Sequence, residues 1–203
     1  MIVSPTVESI RQVADVIAGG GVIAFRTDTF YGLSADPFNQ DAVRRIKQLK
    51  GREDNKPILL VVSDYDQVNR VISSISPAFN SLGKKFWPGA LTLIGEARPE
   101  LPAEITAGTN TVGVRLPNDD RVRLLVRACG GALTATSANP SHAAPATTAV
   151  QVQDYFGDRL DAILDDGIAQ TDRPSTVVDA SGNDPKLIRE GVIAWSDIVT
   201  ALG

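Results

Sequence analysis

Apolar positions along this chain fall into two rhythms. From Val7 to Ala18 they recur at helical spacing, with Thr6 placed as N-cap and Gly19-Gly20-Gly21 as the stop, which predicts a helix. Val22-Ile23-Ala24-Phe25 follows as a continuous apolar run, the signature of a buried strand. A helix is predicted over Gln40–Lys50, where Val43, Ile46 and Leu49 share a face behind Asn39 as N-cap, and Ile58 to Val62 reads as a strand. Next come a helix over Pro77–Phe86 stopped by Trp87-Pro88-Gly89, a strand at Leu91–Ile94, a proline-broken loop, and a strand at Thr111–Arg115. A helix over Arg121–Ala128 ends at Gly130-Gly131, a strand covers Ala132–Ala135, and a further helix covers Thr147–Phe156. Ile163-Leu164, Thr176–Asp179 and Leu187–Arg189 read as short late strands. Helices and strands interleave throughout, so the expected class is α/β with a mixed sheet, in one domain over residues 1–203.

Composition narrows the class. Of 203 residues 43% are hydrophobic and 22% charged, as in an ordinary soluble domain. The single cysteine, Cys129, has no internal disulfide partner, and no run approaches the roughly eighteen apolar residues of a membrane span. The N-terminus lacks a basic-then-apolar signal pattern, and the expected location is the cytoplasm. A net charge of −4 counts against general nucleic-acid binding but leaves room for a local basic groove.

Cations gather at Arg44, Arg45, Lys47, Lys50, Arg52 and Lys56. On the wheel of the Gln40–Lys50 helix, Arg44, Arg45 and Lys47 lie outside the apolar arc and read as a solvated face, whereas Lys50 falls inside it. Gly51 ends the helix, so Lys50 and Arg52 are candidates for a phosphate or carboxylate clamp; capping and salt bridging is the competing role.

Two loops at strand ends carry further candidates. Thr27-Asp28-Thr29-Phe30-Tyr31-Gly32-Leu33 offers hydroxyls, an aspartate that can orient them or cap a turn, and a glycine suited to positive φ or to close approach of a ligand. Read differently, it is a capped turn with Tyr31 and Leu33 in the core. Thr134 to Asn139 adds hydroxyls and an amide that can bond phosphate or ribose, although Asn139-Pro140 is also a turn signal. The only histidine, His142, reads as a loop residue, Asp165-Asp166-Gly167 as a turn, and no metal site is expected from the sequence.

Taken together, these residues resemble the YrdC-type threonylcarbamoyl-AMP synthase family, whose members begin threonylcarbamoylation of adenosine 37 in tRNA. The resemblance rests on Thr27 to Leu33, Lys50-Gly51-Arg52, Lys56-Pro57, Trp87 to Thr92, Thr111 to Pro117, Ser137-Ala138-Asn139, Pro174 to Asp179 and Ile188-Arg189, in family order and over nearly the whole chain. The Lys-x-Arg and Ser-x-Asn pairs of active members are both intact. The resemblance implies a twisted, largely parallel sheet with helices on its faces and a concave, positively charged groove. It implies synthesis of threonylcarbamoyl-AMP and pyrophosphate from L-threonine, bicarbonate and ATP, with Mg²⁺ held mainly by phosphates and water. Threonine contacts map to Thr29, Arg115, Ser175 and backbone near Ala135. ATP contacts map to Arg52, Lys56, Thr111, Ser137, Ala146 and Arg189, with Lys50 and Asn139 completing the catalytic pairs. The implied partners are a downstream tRNA threonylcarbamoyl transferase complex and tRNA or double-stranded RNA.

The chain departs from the family pattern at Arg26, Glu53 and Glu190, where proline is frequent, and in a longer, glycine-free loop over Pro140–Pro145. Two other readings compete: an RNA- or ribosome-associated factor using the same groove without turnover, and a carbamoyl-transfer enzyme like the comparable domain of hydrogenase maturation proteins. The acidic balance and the intact threonine set weigh against the first. The lone cysteine weighs against the zinc-finger segments of the second.

Overall fold

The structure, a computed structural model, describes residues 1–51, 56–169, 173–182 and 184–203. In chain order its elements are β1 (Ile2–Val3), α1 (Val7–Ala18), β2 (Ile23–Arg26), β3 (Tyr31–Ser34), α2 (Gln40–Lys50), β4 (Leu59–Val62), α3 (Val68–Val71), β5 (Ile72–Ser74), α4 (Pro77–Phe86), β6 (Leu91–Ala97), α5 (Ala103–Thr106), β7 (Thr111–Arg115), α6 (Asp120–Ala128), β8 (Ala132–Ser137), α7 (Ala149–Phe156), β9 (Ala162–Leu164), β10 (Thr176–Asp179), β11 (Lys186–Arg189) and α8 (Trp195–Leu202). Single 3₁₀ turns stand at Tyr65–Gln67 and Gly157–Arg159.

The predicted helices α1, α2 and α4 keep their bounds, because each carries its own punctuation. Thr6 accepts from Ser9 N–H in a capping box, Asn39 accepts from Ala42 N–H, and Gly51 closes α2 in the left-handed region at φ 58°. Thr27–Leu33 is not all loop. Its second half is β3, antiparallel to β2 through Phe25 opposite Gly32 and to β8 through Gly32 opposite Ser137. Helix α8 was also unforeseen, although Trp195, Ile198, Val199 and Leu202 follow helical spacing.

One sheet runs β1-β9-β2-β3-β8-β4-β7-β6-β10-β11, with β5 pairing β6 off this path. It is mixed, as expected. Among the described residues β1–β9, β2–β9, β4–β7 and β6–β10 are parallel, while β2–β3, β3–β8, β4–β8, β5–β6, β6–β7 and β10–β11 are antiparallel. The parallel share is smaller than the resemblance implied, because β3 and β8 return against their neighbours.

Alternation along the strands sorts the sheet into two faces. Leu33, Leu60, Val114, Leu93 and Val178 share one face and join a core with Val43, Ile46 and Leu49 of α2, Phe79 and Leu82 of α4, Val152 and Phe156 of α7, and Ile198 of α8. On the opposite face Ile23, Phe25, Val61 and Leu133 pack against Val13 and Ile17 of α1 and Val122, Leu125 and Val126 of α6. That second layer covers only part of its face, and the remainder lines a concavity.

Two anchors frame this concavity. Arg26, at the end of β2, is buried and pairs with Asp166 at 2.8 Å and Asp119 at 3.0 Å, tying the loop after β9 to the N-cap of α6. Asp166 also pairs with Arg121 at 2.7 Å. Burial by itself raises the Asp166 carboxyl, but its bonds to Arg26 and Arg121 outweigh this and hold it below the ordinary aspartate range. At the other end, Gly191 follows β11 and passes so close to the 174–175 backbone that a Cβ there would lie 2.2 Å from the Pro174 carbonyl oxygen and 2.6 Å from that of Ser175.

Both anchors are testable. Because the folded value for Asp166 lies below the unfolded one, its stabilisation is full above about pH 4 and is lost as pH falls through the lowered value. Asp166→Asn is expected to lose about 1–3 kcal/mol at pH 7 and to show a shallower loss of stability below pH 4 than the unaltered chain, read by urea unfolding across pH. Gly191→Ala forces backbone, not a flexible side-chain tip, to move. It is expected to cost about 1–3 kcal/mol in the same assay at neutral pH.

Candidate functional site

A cavity of about 220 Å³ lies on the uncovered part of the sheet, lined among others by Thr29, Gly32, Leu59, Val61, Thr92, Arg115, Ala135, Ser137, Ser175 and Arg189. These residues sit on one face by register: Gly32 faces Ser137, Leu59 faces Ala135, Val61 faces both Leu133 and Arg115, and Thr92 and Arg189 both face Val177. Gly113 stands one alternation before Arg115, and a Cβ there would meet Leu59 Cδ2 at 2.5 Å and Thr92 Cγ2 at 3.1 Å. Its lack of a side chain lets Leu59 and Thr92 converge. Gly32 does not use a positive φ, and its nearest neighbour to an added Cβ is 3.6 Å away, so neither turn geometry nor a tight protein contact requires glycine there.

Arg115, the last residue of β7, is 6% exposed. Its Nη1 and Nη2 donate to Thr29 Oγ1 at 3.3 and 3.4 Å, and Nη2 lies 3.1 Å from Asp28 Oδ1. Burial lowers the Arg115 pKa and the Asp28 charge partly restores it. Thr29 is held in turn, its Oγ1 3.0 Å from Thr27 Oγ1 and its N–H donating to the same oxygen at 3.1 Å. Across the cavity Ser175 Oγ shares a 2.9 Å hydrogen bond with Thr92 Oγ1. Arg189, at the rim, donates through Nη2 to Ser175 O at 2.9 Å, and its pKa is lowered by partial burial and then by repulsion from Arg115. Two guanidiniums therefore face one concavity whose described lining contains no carboxylate side chain, an arrangement that favours anionic groups.

Sequence reasoning identified Thr29, Ala135, Arg115, Ser137, Ser175 and Arg189, and the structure brings these six to the cavity. It missed Thr92, a hydroxyl inside an apolar strand run and buried at 1% exposure, which the pattern Leu91-Thr92-Leu93 could have flagged. Lys50 is buried, as its place in the apolar arc of α2 predicts. Its ammonium does not line the cavity; it donates to the carbonyl oxygens of Ser137 and, at 2.8 Å, Asn139, clamping the turn after β8. Asn139 Nδ2 extends that clamp to Pro140 O at 2.9 Å and Ala143 O at 2.7 Å.

Arg44 and Arg45 are outside the core as expected, paired with Glu104 at 2.7 Å and Asp161 at 2.6 Å. Lys47 departs from its expected solvated face: it is 6% exposed, in a cleft that α2 forms with α5. The unforeseen α5 turn explains that burial. Thr111 begins β7, on the same face as Arg115 but about 13 Å away along the strand. Lys56 is exposed. Ala146 is buried beside the site, and its carbonyl accepts from Tyr31 N–H at 3.1 Å. Arg52 and Glu53 lie outside the described residues. His142 is exposed in its loop, and among the described residues no cluster of three or more His, Cys, Asp or Glu could hold a metal ion. No described helix is long and apolar enough to cross a membrane.

A family model described as telomere recombination, that of the Sua5/YciO/YrdC proteins, matches residues 15–191. A threonylcarbamoyl-AMP synthase of Thiobacillus denitrificans is 39% identical over 160 residues, covering 79% of this chain and 85% of the relative. One of Bacillus subtilis is 35% identical over 195 residues, covering 96% of this chain and 56% of the relative. The crystal structure of P. abyssi Sua5 complexed with L-threonine superposes with a TM-score of 0.95 at 31% identity, covering 100% of this chain and 61% of the solved one. This chain thus spans a little over half the length of the longer relatives. By the extent of the model match and of these likenesses, the chain belongs to the Sua5/YciO/YrdC family.

Proposed function

We propose that the chain is an L-threonylcarbamoyladenylate synthase, a nucleotidyltransferase that makes threonylcarbamoyl-AMP and pyrophosphate from L-threonine, bicarbonate and ATP. The observation that carries this reading is the convergence of Arg115 and Arg189 with the hydroxyls of Thr29, Thr92, Ser137 and Ser175 on one sheet face. The named relatives and the threonine complex of a structural neighbour support it.

In this reading Arg115 pairs with the threonine carboxylate, and Thr29, Ser175 and the backbone at Ala135 complete that end of the site. The threonine amine attacks the bicarbonate carbon and water leaves, giving the carbamate. A carbamate oxygen then forms a bond to the α-phosphorus of ATP as the bond to the bridging oxygen breaks, and pyrophosphate departs with that electron pair. No side chain needs to become covalently modified; what the protein supplies is alignment and neutralisation of developing charge, and alignment can contribute up to about 7–11 kcal/mol. Ser137 and Arg189 take the ATP side in this reading, Lys56 and Thr111 are assigned to ATP with them, and Arg52, outside the described residues, keeps the ATP role that the family pattern implies. Ala146 acts through Tyr31, and Lys50 with Asn139 shapes the turn that carries Ser137. Mg²⁺ neutralises phosphate charge when bound. Among the described residues the cavity would offer it hydroxyls and no carboxylates, so phosphate oxygens and water would hold it.

The product is a labile mixed anhydride that has to be passed on, in this reading to the cytoplasmic tRNA threonylcarbamoyl transferase complex acting on adenosine 37. A tRNA or double-stranded RNA is a further partner of the positive groove.

The test is pyrophosphate release by the purified protein with Mg-ATP, omitting L-threonine or bicarbonate in turn. Release that needs both substrates is expected, and release that ignores threonine overturns the reading. Lys50→Ala is expected to lower the rate at least about tenfold and to lower stability too, since two carbonyls on one turn lose their donor.

A further inference from the structure

The Arg115 guanidinium is the most buried charge facing the cavity, and the carboxylate that balances it does not face the cavity at all. Asp28 is absent from the lining, although its neighbours Thr27 and Thr29 both belong to it. Its side chain is 13% exposed and stands behind the guanidinium, with Oδ1 3.1 Å from Nη2. That contact has ion-pair distance without hydrogen-bond geometry, so Oδ1 attracts the charge without occupying a well-directed N–H. The other oxygen, Oδ2, accepts the Asn118 backbone N–H at 3.3 Å, which fastens the loop after β7 to the loop after β2.

Among the described residues the donors of Arg115 are otherwise spent only on Thr29, at 3.3 and 3.4 Å, both beyond the usual 2.7–3.2 Å range. A guanidinium has five N–H groups in a planar fork, and one held by charge from behind keeps that fork for a ligand in front. Without Asp28, Arg115 and Arg189 would face each other across the cavity with no described carboxylate beside Arg115. The shorter relief for Arg115 would then be to swing away from Arg189.

We propose that Asp28 is a positioning residue: it holds Arg115 by charge from outside the cavity, and so fixes the fork that receives the carboxylate of the amino-acid substrate. Asp28 touches neither the substrate nor the reacting atoms. The assignment rests on the reading that L-threonine binds at Arg115, and it adds that affinity for threonine, not for ATP, depends on an aspartate outside the pocket.

The experiment compares the unaltered chain with Asp28→Asn, which keeps the shape and an acceptor for Asn118 N–H but removes the charge. L-threonine binding is measured by calorimetry, and the KM for threonine and for ATP by pyrophosphate release. The expected result is threonine affinity weakened at least about tenfold with the ATP KM within about twofold. In an Arg115→Ala background Asp28→Asn should add less than about a further twofold, because the aspartate acts only through Arg115. Asp28→Ser repeats the comparison if the asparagine variant does not fold, and thermal unfolding reports which variants do. Threonine binding unchanged in a folded Asp28 variant overturns the inference alone, as does equal weakening of threonine and ATP, the mark of a merely structural role. Absence of threonine binding by the unaltered chain overturns the functional reading and this inference with it.

Discussion

A positive charge buried on a sheet face is the constraint around which this molecule is arranged. Arg115 ends a strand whose inward residues are otherwise Thr111 and Gly113, and it sits at 6% exposure between β4 and β6. Breaking a buried pair typically costs about 3–5 kcal/mol, more than most single contacts contribute, so the fold has to bring Arg115 a counter-charge. It does so from a residue 87 positions earlier, at the tip between β2 and β3. That hairpin is antiparallel inside a sheet that also contains βαβ crossovers, and its turn puts Thr27, Asp28 and Thr29 beside the end of β7. The mixed character of the sheet is thus tied to the site.

The same logic explains where helices do not go. Helices α1 and α6 cover Ile23, Phe25, Val61 and Leu133, all apolar. Further across the sheet the same face presents Arg115, Thr92, Ser175 and Arg189, which would lose their hydration beneath an apolar helix. Their alternation with Leu91, Leu93, Val114 and Val178 keeps the opposite face largely apolar and covered, with the buried hydroxyls of Thr134 and Thr176 hydrogen-bonded there. One face therefore supplies stability along its whole width, while the other gives up burial over a few strands and gains a polar cavity.

Legibility in the sequence followed the range of the interaction. Helices with local punctuation, α1, α2 and α4, were readable to the residue, because Thr6, Asn39, Gly51 and Pro77 act within one turn. Lys50 was readable as buried because its position on the wheel of α2 is a local fact. Its partners on the β8 turn were not, nor was the burial of Lys47 against α5. β3 was hidden because its four residues, Tyr31-Gly32-Leu33-Ser34, carry only two apolar positions and a glycine of low strand propensity, and pairing with two neighbours overrides that weak local signal. Arg115 and Ser175 could be named from the resemblance, yet nothing in the chain tells that Asp28 stands behind the one and Thr92 beside the other. Those pairings exist only after the strands are in register.

Arg26 and Arg115 show how one residue type divides between structure and function. Both are buried and close a strand. Arg26 has two carboxylates, Asp119 and Asp166, and its Nε also donates to Asp166 O at 2.9 Å. Burial alone would lower its pKa, but those partners outweigh burial and raise it, so its charge is balanced by carboxylates within the protein even though Nη1 is buried without a hydrogen-bond partner. Arg115 has one carboxylate in poor hydrogen-bond geometry, two long bonds to Thr29, and a second guanidinium in view. Its pKa stays lowered, which means that the folded chain has not repaid the full cost of burying it. In the proposed function an anion arriving in the cavity would supply the missing part. The difference lies in how many partners the fold delivers to each arginine: Arg26 serves as an anchor, and in the proposed function Arg115 is left to receive a carboxylate.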